Sequence, residues 1–316
     1  MSPLVAVVGP TGSGKSDLAI YLALRFNGEV INCDSVQVYR LFNIGTAKSD
    51  EDQRRGVPHH LIDVCEPTEV FTAGDYCRRA REAIAEIAAR GRLPIVVGDT
   101  GFYLRALLHG LFKGPERDAA LRERLAARRP GSLHRLLTRL DPAAAARIHP
   151  NDTNKLIRAM EVVLTAGRPL SQLHQAGRDP LVGYRILLLG LNPPRAELYQ
   201  NLDARVREMF GGGLTAEVSS ILGRGIPSTA KPFESLGYAQ TLRLLRGEIT
   251  ENQAVADTQM QTRRYAKRQW TWFRREAGVE WLDGFGGDKA VGLAAEQKVQ
   301  QLTEQFPGSP VWMSVS

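Results

Sequence analysis

The sequence predicts an α/β fold, a mostly parallel sheet flanked by helices with an all-helical subdomain inserted mid-chain. Three observations predict it. The first hundred residues alternate short apolar runs with helical patterns, which builds a parallel sheet covered on both faces. Gly9-Pro10-Thr11-Gly12-Ser13-Gly14-Lys15-Ser16 fits G-x-x-x-x-G-K-[ST] between an apolar run (residues 4–8) and a helical run (residues 17–23). That is the strand–loop–helix setting a phosphate-binding loop requires. From Lys113 to Gly183 no strand pattern occurs, and Ala, Leu and Arg at helical spacing are punctuated by Pro130-Gly131, Pro142 and Pro150.

The elements follow in order. Residues 4–8 form the first strand. Glu29-Val30-Ile31-Asn32-Cys33 is a second, ending at Asp34-Ser35, and the Ala-, Arg- and Glu-rich stretch 75–90 is a helix stopped by Gly91. Residues 93–97 form a third strand, ending at Gly98-Asp99-Thr100-Gly101. After the insertion, the apolar run from Arg185 to Gly190 returns the chain to the sheet, and Pro193-Pro194 ends it. Helices are expected at about 195–210, 212–223, 235–246 and 251–277, with a last strand at Glu280-Trp281-Leu282 and a loosely held stretch at 307–316. Residues 1–112 and 184–316 thus make a P-loop NTPase-like core, and 113–183 the helical insertion. In such sheets ligands bind beyond the carboxyl ends of the strands. The phosphate loop, Asp34 and Thr100 sit at three such ends.

Composition narrows the class. The chain has 316 residues, 43% hydrophobic and 24% charged, as soluble globular proteins do. It has no run of eighteen apolar residues to span a membrane. Its five-residue apolar start lacks the charged region and cleavage site of a signal peptide. Cys33, Cys65 and Cys77 are odd in number and lack metal-ligand spacing, which suits a reduced, cytosolic compartment. The net charge of +7 suits a polyanionic partner, but distribution matters more than total.

The chemistry concentrates in a few places. Glycines let loop N–H groups converge on anionic oxygens. The helix start adds partial positive charge, Lys15 a full one, and Ser16 a hydroxyl for Mg²⁺. Such a loop reads phosphates and not what they are attached to. Asp34 can serve as a general base or substrate ligand, as a group held behind Mg²⁺, or as a helix cap; position alone leaves these open. Asp99 resembles the acidic residue that supports Mg²⁺ in nucleotide hydrolases. No Asn-Lys-x-Asp occurs, which argues against a signalling GTPase. His59-His60 have no third metal ligand at suitable spacing and are expected in a loop beside the ligand. Arg205 taken alone is one surface charge among many. The segment 259–276 carries Arg263, Arg264, Lys267, Arg268, Arg274 and Arg275 against the single acid Glu276. On a helical wheel Ala266, Trp270, Phe273 and Ala277 share the core face, and the six cations share an adjacent arc of roughly 140°. Like charges at i and i+4 repel, and a bound phosphate backbone relieves that repulsion, so the arc points to nucleic acid.

Together these segments resemble the tRNA dimethylallyltransferase family along nearly the whole chain. The residues are Gly9–Ser16, Asp34-Ser35-Val36-Gln37-Val38-Tyr39, Gly45-Thr46-Ala47-Lys48, Pro58-His59-His60-Leu61-Ile62-Asp63 and Gly98–Leu104. Further on come Ile148-His149-Pro150-Asn151-Asp152, Lys155–Val162, Gly237-Tyr238 and Ala266-Lys267-Arg268-Gln269-Trp270-Thr271-Trp272. The phosphate loop is generic; Asp-Ser-x-x-x-Tyr, Gly-Thr-Ala-Lys and His-Pro-Asn-Asp in this order are specific. Two positions depart from the family pattern. Gly98-Asp99-Thr100 stands where Gly-Gly-Thr is usual, placing an extra carboxylate beside the reaction centre. Lys155 stands where Arg is usual, keeping the charge but losing the planar fork.

The resemblance implies transfer of a dimethylallyl group from its diphosphate to N6 of the adenosine 3′ to the anticodon. By the same resemblance Gly9, Thr11, Gly12, Ser13, Gly14, Lys15 and Ser16 bind the diphosphate, Ser16 with Mg²⁺. Asp34 is the base, Thr100 hydrogen-bonds the reacting base or the phosphates, and Arg205 stabilises the leaving group. Asp34, Ser35, Val36 and Gln37, then Asn154, Lys155, Leu156, Ile157 and Arg158, then 234–239, and Arg264, Lys267 and Arg268 meet tRNA. The insertion grips the anticodon stem-loop, and the two substrates enter a channel from opposite ends. A cytoplasmic monomer is implied. The competing readings are a small-molecule or nucleoside kinase, with Arg122 or Arg124 as lid arginines, and a nucleic-acid-stimulated ATPase. The kinase leaves the basic helix unexplained, and the ATPase lacks its catalytic Glu after an apolar strand.

Overall fold

The structure, a computed structural model, describes residues 1–175 and 177–304; the stretch 307–316 lies outside them. The chain divides into two compact units, residues 1–107 with those from 182 onward, and residues 108–181.

The first unit is built on six parallel strands: β1 (Ser2–Val8), β2 (Gly28–Asn32), β3 (His59–His60), β4 (Leu93–Val97), β5 (Tyr184–Leu191) and β6 (Val279–Leu282). Their order is β3-β2-β4-β1-β5-β6. β1 lies between β4 and β5, with Val5 opposite Ile95 and Leu187. Leu4, Val5, Ala6 and Val7 are wholly buried. A central parallel strand covered on both faces reads as a continuous apolar run, which is why periodicity shows no alternation here.

Helices α1 (Lys15–Arg25), α2 (Glu51–Arg54), α3 (Ala73–Ala89) and α4 (Gly101–His109) belong to the first half of the chain. The divide between the units falls inside α4. The second unit holds α5 (Ala119–Ala126), α6 (Pro130–Leu140), α7 (Pro142–Ala145), α8 (Thr153–Ala166) and α9 (Leu170–Gln175). The chain returns through β5 to α10 (Arg195–Gly211), α11 (Leu214–Gly223), α12 (Tyr238–Leu245), α13 (Glu251–Phe273) and α14 (Lys289–Glu304). Leu18 and Leu22 of α1 join Val291, Ala295 and Val299 of α14 over Val5, Val7, Ile95 and Leu189. Each Val, Leu or Ile side chain so removed from water contributes about 1.5–3 kcal/mol. A second cluster joins Val38, Tyr39 and Phe42 to Val206, Phe210, Leu214, Phe233 and Tyr238, and so packs the segment after Asp34 against α10–α12. The helical unit has its own core of Leu125, Leu133, Leu137, Leu156, Ile157 and Met160.

Several boundaries differ from expectation. α13 starts at a capping box between Thr250 and Gln253 and ends at Phe273, so Ala277 is exposed beyond it rather than on the core face. The helix expected at 235–246 begins at Tyr238, because Gly237 takes φ +84° and a 3₁₀ turn at Lys231–Glu234 precedes it. His59 and His60 are a short edge strand, not a loop, paired to Val30 and Ile31. Two residues give too little pattern to read as a strand. No described helix is long and apolar enough to cross a membrane.

Candidate active site

The phosphate loop follows β1 and turns back on two glycines. Gly12 takes φ +78° and Gly14 φ +81°. A Cβ at Gly12 would lie 2.7 Å from Leu202 Cδ2, and one at Gly14 2.8 Å from Gly286 N. Larger residues are barred there by conformation and by space. Lys15 is buried and donates from Nζ to Pro10 O at 2.8 Å, with Asp99 Oδ2 at 3.7 Å.

Two cavities meet at this point. One, of about 390 Å³, is bordered by Thr11, Gly12, Gly14, Lys15 and Ser16, and by Asp34, Thr46, Asp99 and Arg205 among others. The other, of about 340 Å³, is bordered by Asp34, Ser35, Val36, Met209, Leu236, Tyr265 and Arg268 among others. Thr11, Asp34, Thr46, Asp99 and Arg205 border both. A larger cavity, about 670 Å³, lies among Asn192–Arg195, Lys267, Trp270 and Asp283–Phe285, and no phosphate-loop residue borders it.

Asp34 lies just past the end of β2. Its Oδ1 accepts from Val36 N at 2.7 Å and Gln37 N at 3.1 Å, so the backbone after the strand curls around one carboxylate oxygen. Oδ2 takes no part in that turn. Burial, then the charge of Asp99, pushes the Asp34 carboxyl up to about 6, against the two backbone donors and Lys15. A carboxyl so placed changes protonation near neutral pH, as a base must. Asp99 does not point away from the site: it is buried, borders both cavities and faces Lys15.

Arg205 projects from α10, and its Nη2 donates to Thr11 Oγ1 at 2.9 Å. Its Nε is buried with no partner among the described residues. Burial is the main influence lowering its pKa, opposed by Asp99 and Asp34. Arg205 is therefore a cation turned inward onto the phosphate loop and not the surface charge its sequence context suggests.

Other expected residues fall elsewhere. Gly9 and Ser13 do not border the two cavities; Gly9 packs on Leu191 and Ser13 is wholly buried. Thr100 borders neither. Its hydroxyl accepts from Ser35 N at 3.0 Å and lies 3.4 Å from Ser35 Oγ, which fastens the Asp34 turn to the end of β4. Gln37 Nε2 donates to Thr46 O at 3.0 Å. In the helical unit Leu156 and Ile157 are core residues, because they fall on the inner face of α8, so their side chains are closed to a partner. Asn154 and Lys155 are exposed, and Lys155 pairs with Asp152 at 2.6 Å. Arg158 pairs with the buried Glu161 at 2.7 Å. So does Arg122, at 3.0 Å, which commits the arginine a kinase reading would use as a lid.

The basic arc of α13 divides. Arg263 is paired with Asp203. Arg268 is exposed, borders the 340 Å³ cavity and lies 5.6 Å above the Tyr265 ring. Lys267 and Arg274 border the 670 Å³ cavity, and Arg264 is exposed. Glu276, the one nearby acid, is taken by Arg105.

Sequence reasoning missed Gln269. Buried in α13, it accepts from Thr11 N at 2.8 Å and donates to Asp99 O at 3.3 Å, bridging the phosphate loop and the end of β4. Tyr265, one turn earlier, is hydrogen-bonded to it. The available signal was the spacing of Thr258, Thr262, Tyr265 and Gln269, a polar stripe at i, i+4, i+7 and i+11 on a helix already assigned to the core.

Among the described residues no group of three or more His, Cys, Asp or Glu could hold a metal. His59 and His60 alternate along a strand and diverge: His59 Nδ1 lies 2.8 Å from Val57 O, and His60 Nε2 lies 2.6 Å from Glu29 Oε2. The Ser16 hydroxyl, by contrast, is exposed at the 390 Å³ cavity and has no hydrogen-bond partner among the described residues. One hard oxygen ligand beside an anion site suits Mg²⁺, which takes its remaining ligands from substrate phosphates and water.

Comparison with known proteins identifies the family. A family model described as IPP transferase matches residues 37–276. A Solibacter usitatus protein named tRNA dimethylallyltransferase is 56% identical over 306 residues, covering 96% of this chain and 100% of its own. A Koribacter versatilis protein of the same name is 56% identical over 91% of this chain and 95% of its own. The crystal structure of a full-length tRNA isopentenylpyrophosphate transferase from Bacillus halodurans matches with TM-score 0.73 and 37% identity, covering 96% of this chain and 98% of that one. A eukaryotic dimethylallyltransferase acting on tRNA matches with TM-score 0.84 and 26% identity, over 98% of this chain and 81% of that one. The chain belongs to the IPP transferase family, that of the tRNA dimethylallyltransferases.

Proposed function

We propose that this chain transfers a dimethylallyl group from dimethylallyl diphosphate to N6 of the adenosine 3′ to the anticodon of tRNA. The observation that carries the reading is the meeting of the two cavities, where a phosphate grip of Thr11, Lys15 and Arg205 and the carboxylate of Asp34 face the same space. The diphosphate lies in the cavity of the phosphate loop. The allyl group and the target base meet at the shared residues, with Val36, Met209 and Leu236 supplying apolar surface. The adenosine leaves its stack to reach this point.

Charge grows on the diphosphate as the allylic C–O bond breaks. Lys15, buried, and Arg205, half-buried and turned onto the phosphate loop, are already oriented to stabilise it. Ser16 would hold Mg²⁺, which would supply further positive charge to the leaving group. The exocyclic amine becomes acidic only as the new C–N bond forms, and Asp34 Oδ2 then accepts its proton. Thr100 positions the Asp34 turn through Ser35. Arg268, Arg264 and Lys267 meet tRNA phosphates from α13, and the helical unit presents Asn154, Lys155 and Arg158 to the anticodon stem-loop. The chain works as a cytoplasmic monomer.

The test is transfer of labelled dimethylallyl diphosphate to unmodified tRNA in Mg²⁺, with ATP consumption followed in parallel. Label in tRNA without ATP use supports the reading. ATP consumption on a small acceptor, with no label in tRNA, overturns it in favour of a kinase.

A further inference from the structure

The phosphate-loop cavity is not a simple basic pocket. Its cations are Lys15 and Arg205, and they share its walls with the carboxylates of Asp17, Asp34 and Asp99. Asp99 is the one of the three that pairs with a cation among the described residues. It is buried, its Oδ2 lies 3.7 Å from Lys15 Nζ, and its backbone oxygen is held by Gln269. Lys15 also donates to Pro10 O, so one of its three N–H donors is taken within the chain. A diphosphate entering competes with Asp99 for Lys15 and settles beside the carboxylates of Asp34 and Asp99.

We propose that Asp99 makes donor binding conditional on a divalent cation: it occupies Lys15 in the empty site and repels a bare diphosphate, so that the donor is accepted only with its charge screened by metal. This rests on the donor reading above. The geometry makes Asp99 a specificity-determining residue for the form of the donor. Like charges brought together in a water-poor site are strongly unfavourable. The chain gains discrimination against metal-free polyanions that a neutral residue at 99 would lose.

The experiment is calorimetric titration of the full chain with inorganic diphosphate, in Mg²⁺ and in EDTA, for wild type, Asp99→Asn and Asp99→Gly. Thermal melts confirm that each variant folds. Wild type is expected to bind at least about tenfold more tightly with Mg²⁺ than without. Both variants are expected to tighten metal-free binding about tenfold and narrow the ratio. Metal-free affinity unchanged in both variants overturns the role of Asp99. A loss confined to Mg²⁺-dependent binding overturns it too, because Asp99 then helps hold the metal. No binding by folded wild type even with Mg²⁺ overturns the donor reading itself, together with this inference.

Discussion

Gln269 and Thr11 are 258 residues apart in the chain, and the Gln269 side-chain oxygen accepts the Thr11 N–H at 2.8 Å. One phosphate-loop amide is therefore set by the helix that also carries Arg264, Lys267 and Arg268. The Gln269 amide nitrogen reaches Asp99 O, so a single buried side chain fixes two of the strand ends that form the site.

Gln269→Leu leaves Asp99 O buried and Thr11 N half-buried without that partner. The buried group costs about 1–3 kcal/mol. The expected outcome is a lower melting temperature and a raised KM for the diphosphate donor, with tRNA affinity nearly unchanged. Gln269→Glu keeps the acceptor for Thr11 and loses the donor to Asp99, so melts and steady-state kinetics on both variants separate the two bonds.

Asp34→Asn removes the proton acceptor and keeps the Oδ1 turn. Turnover is expected to fall by about 10² or more. The elevated carboxyl also predicts a pH effect. In wild type the chemical step speeds up as pH rises through about 6, where Asp34 ionises. Asp99→Asn removes the second-largest cause of the elevation and moves that limb to lower pH. The stability sign is opposite to that of an ion-paired carboxylate. The folded chain favours protonated Asp34, so ionisation costs stability, fully above about 6 and vanishing as pH falls towards the ordinary value of 3.8. Asp34→Asn is expected to melt higher than wild type at pH 8, with the gap closing in acid.

Arg268→Ala and Arg263→Ala distinguish two kinds of cation on one helix. Arg268 is open and faces the cavity, so its loss is expected to weaken tRNA binding and reduce the salt slope by about 1. Arg263 is already paired with Asp203, so its loss is expected to affect melting more than the slope. Binding measured across a salt series checks both.

Glu161 lies wholly buried in the helical unit and receives Arg122, Arg158 and Asp118 N. Glu161→Ala leaves those arginines without their buried partner and is expected to cost about 3–5 kcal/mol. A lowered urea midpoint for that unit is the expected result.

The phosphate loop and three of the strand ends were legible because each is local: glycines, a lysine and an apolar run state their geometry within ten residues. Asp34 was legible in place but not in role, which depends on Asp99 arriving from another strand. Arg205 was singled out only by resemblance and Gln269 not at all, since what distinguishes them is contact with Thr11 across 194 and 258 residues. Leu156 and Ile157 show the reverse case: a stretch named by resemblance to a family includes exposed residues and, beside them, residues that face the core. The His59–His60 strand was missed because two residues have no periodicity.

The central claim is that Asp34 takes the proton from the amine during prenyl transfer at the phosphate loop. Its most direct test is a single-turnover transfer rate from labelled dimethylallyl diphosphate to unmodified tRNA, for wild type and Asp34→Asn, with tRNA affinity measured alongside. Label is expected on the adenosine 3′ to the anticodon in wild type, with a rate about 10² lower in the variant at unchanged tRNA affinity. Equal rates in the two proteins, or no label in tRNA from folded wild type, would contradict it.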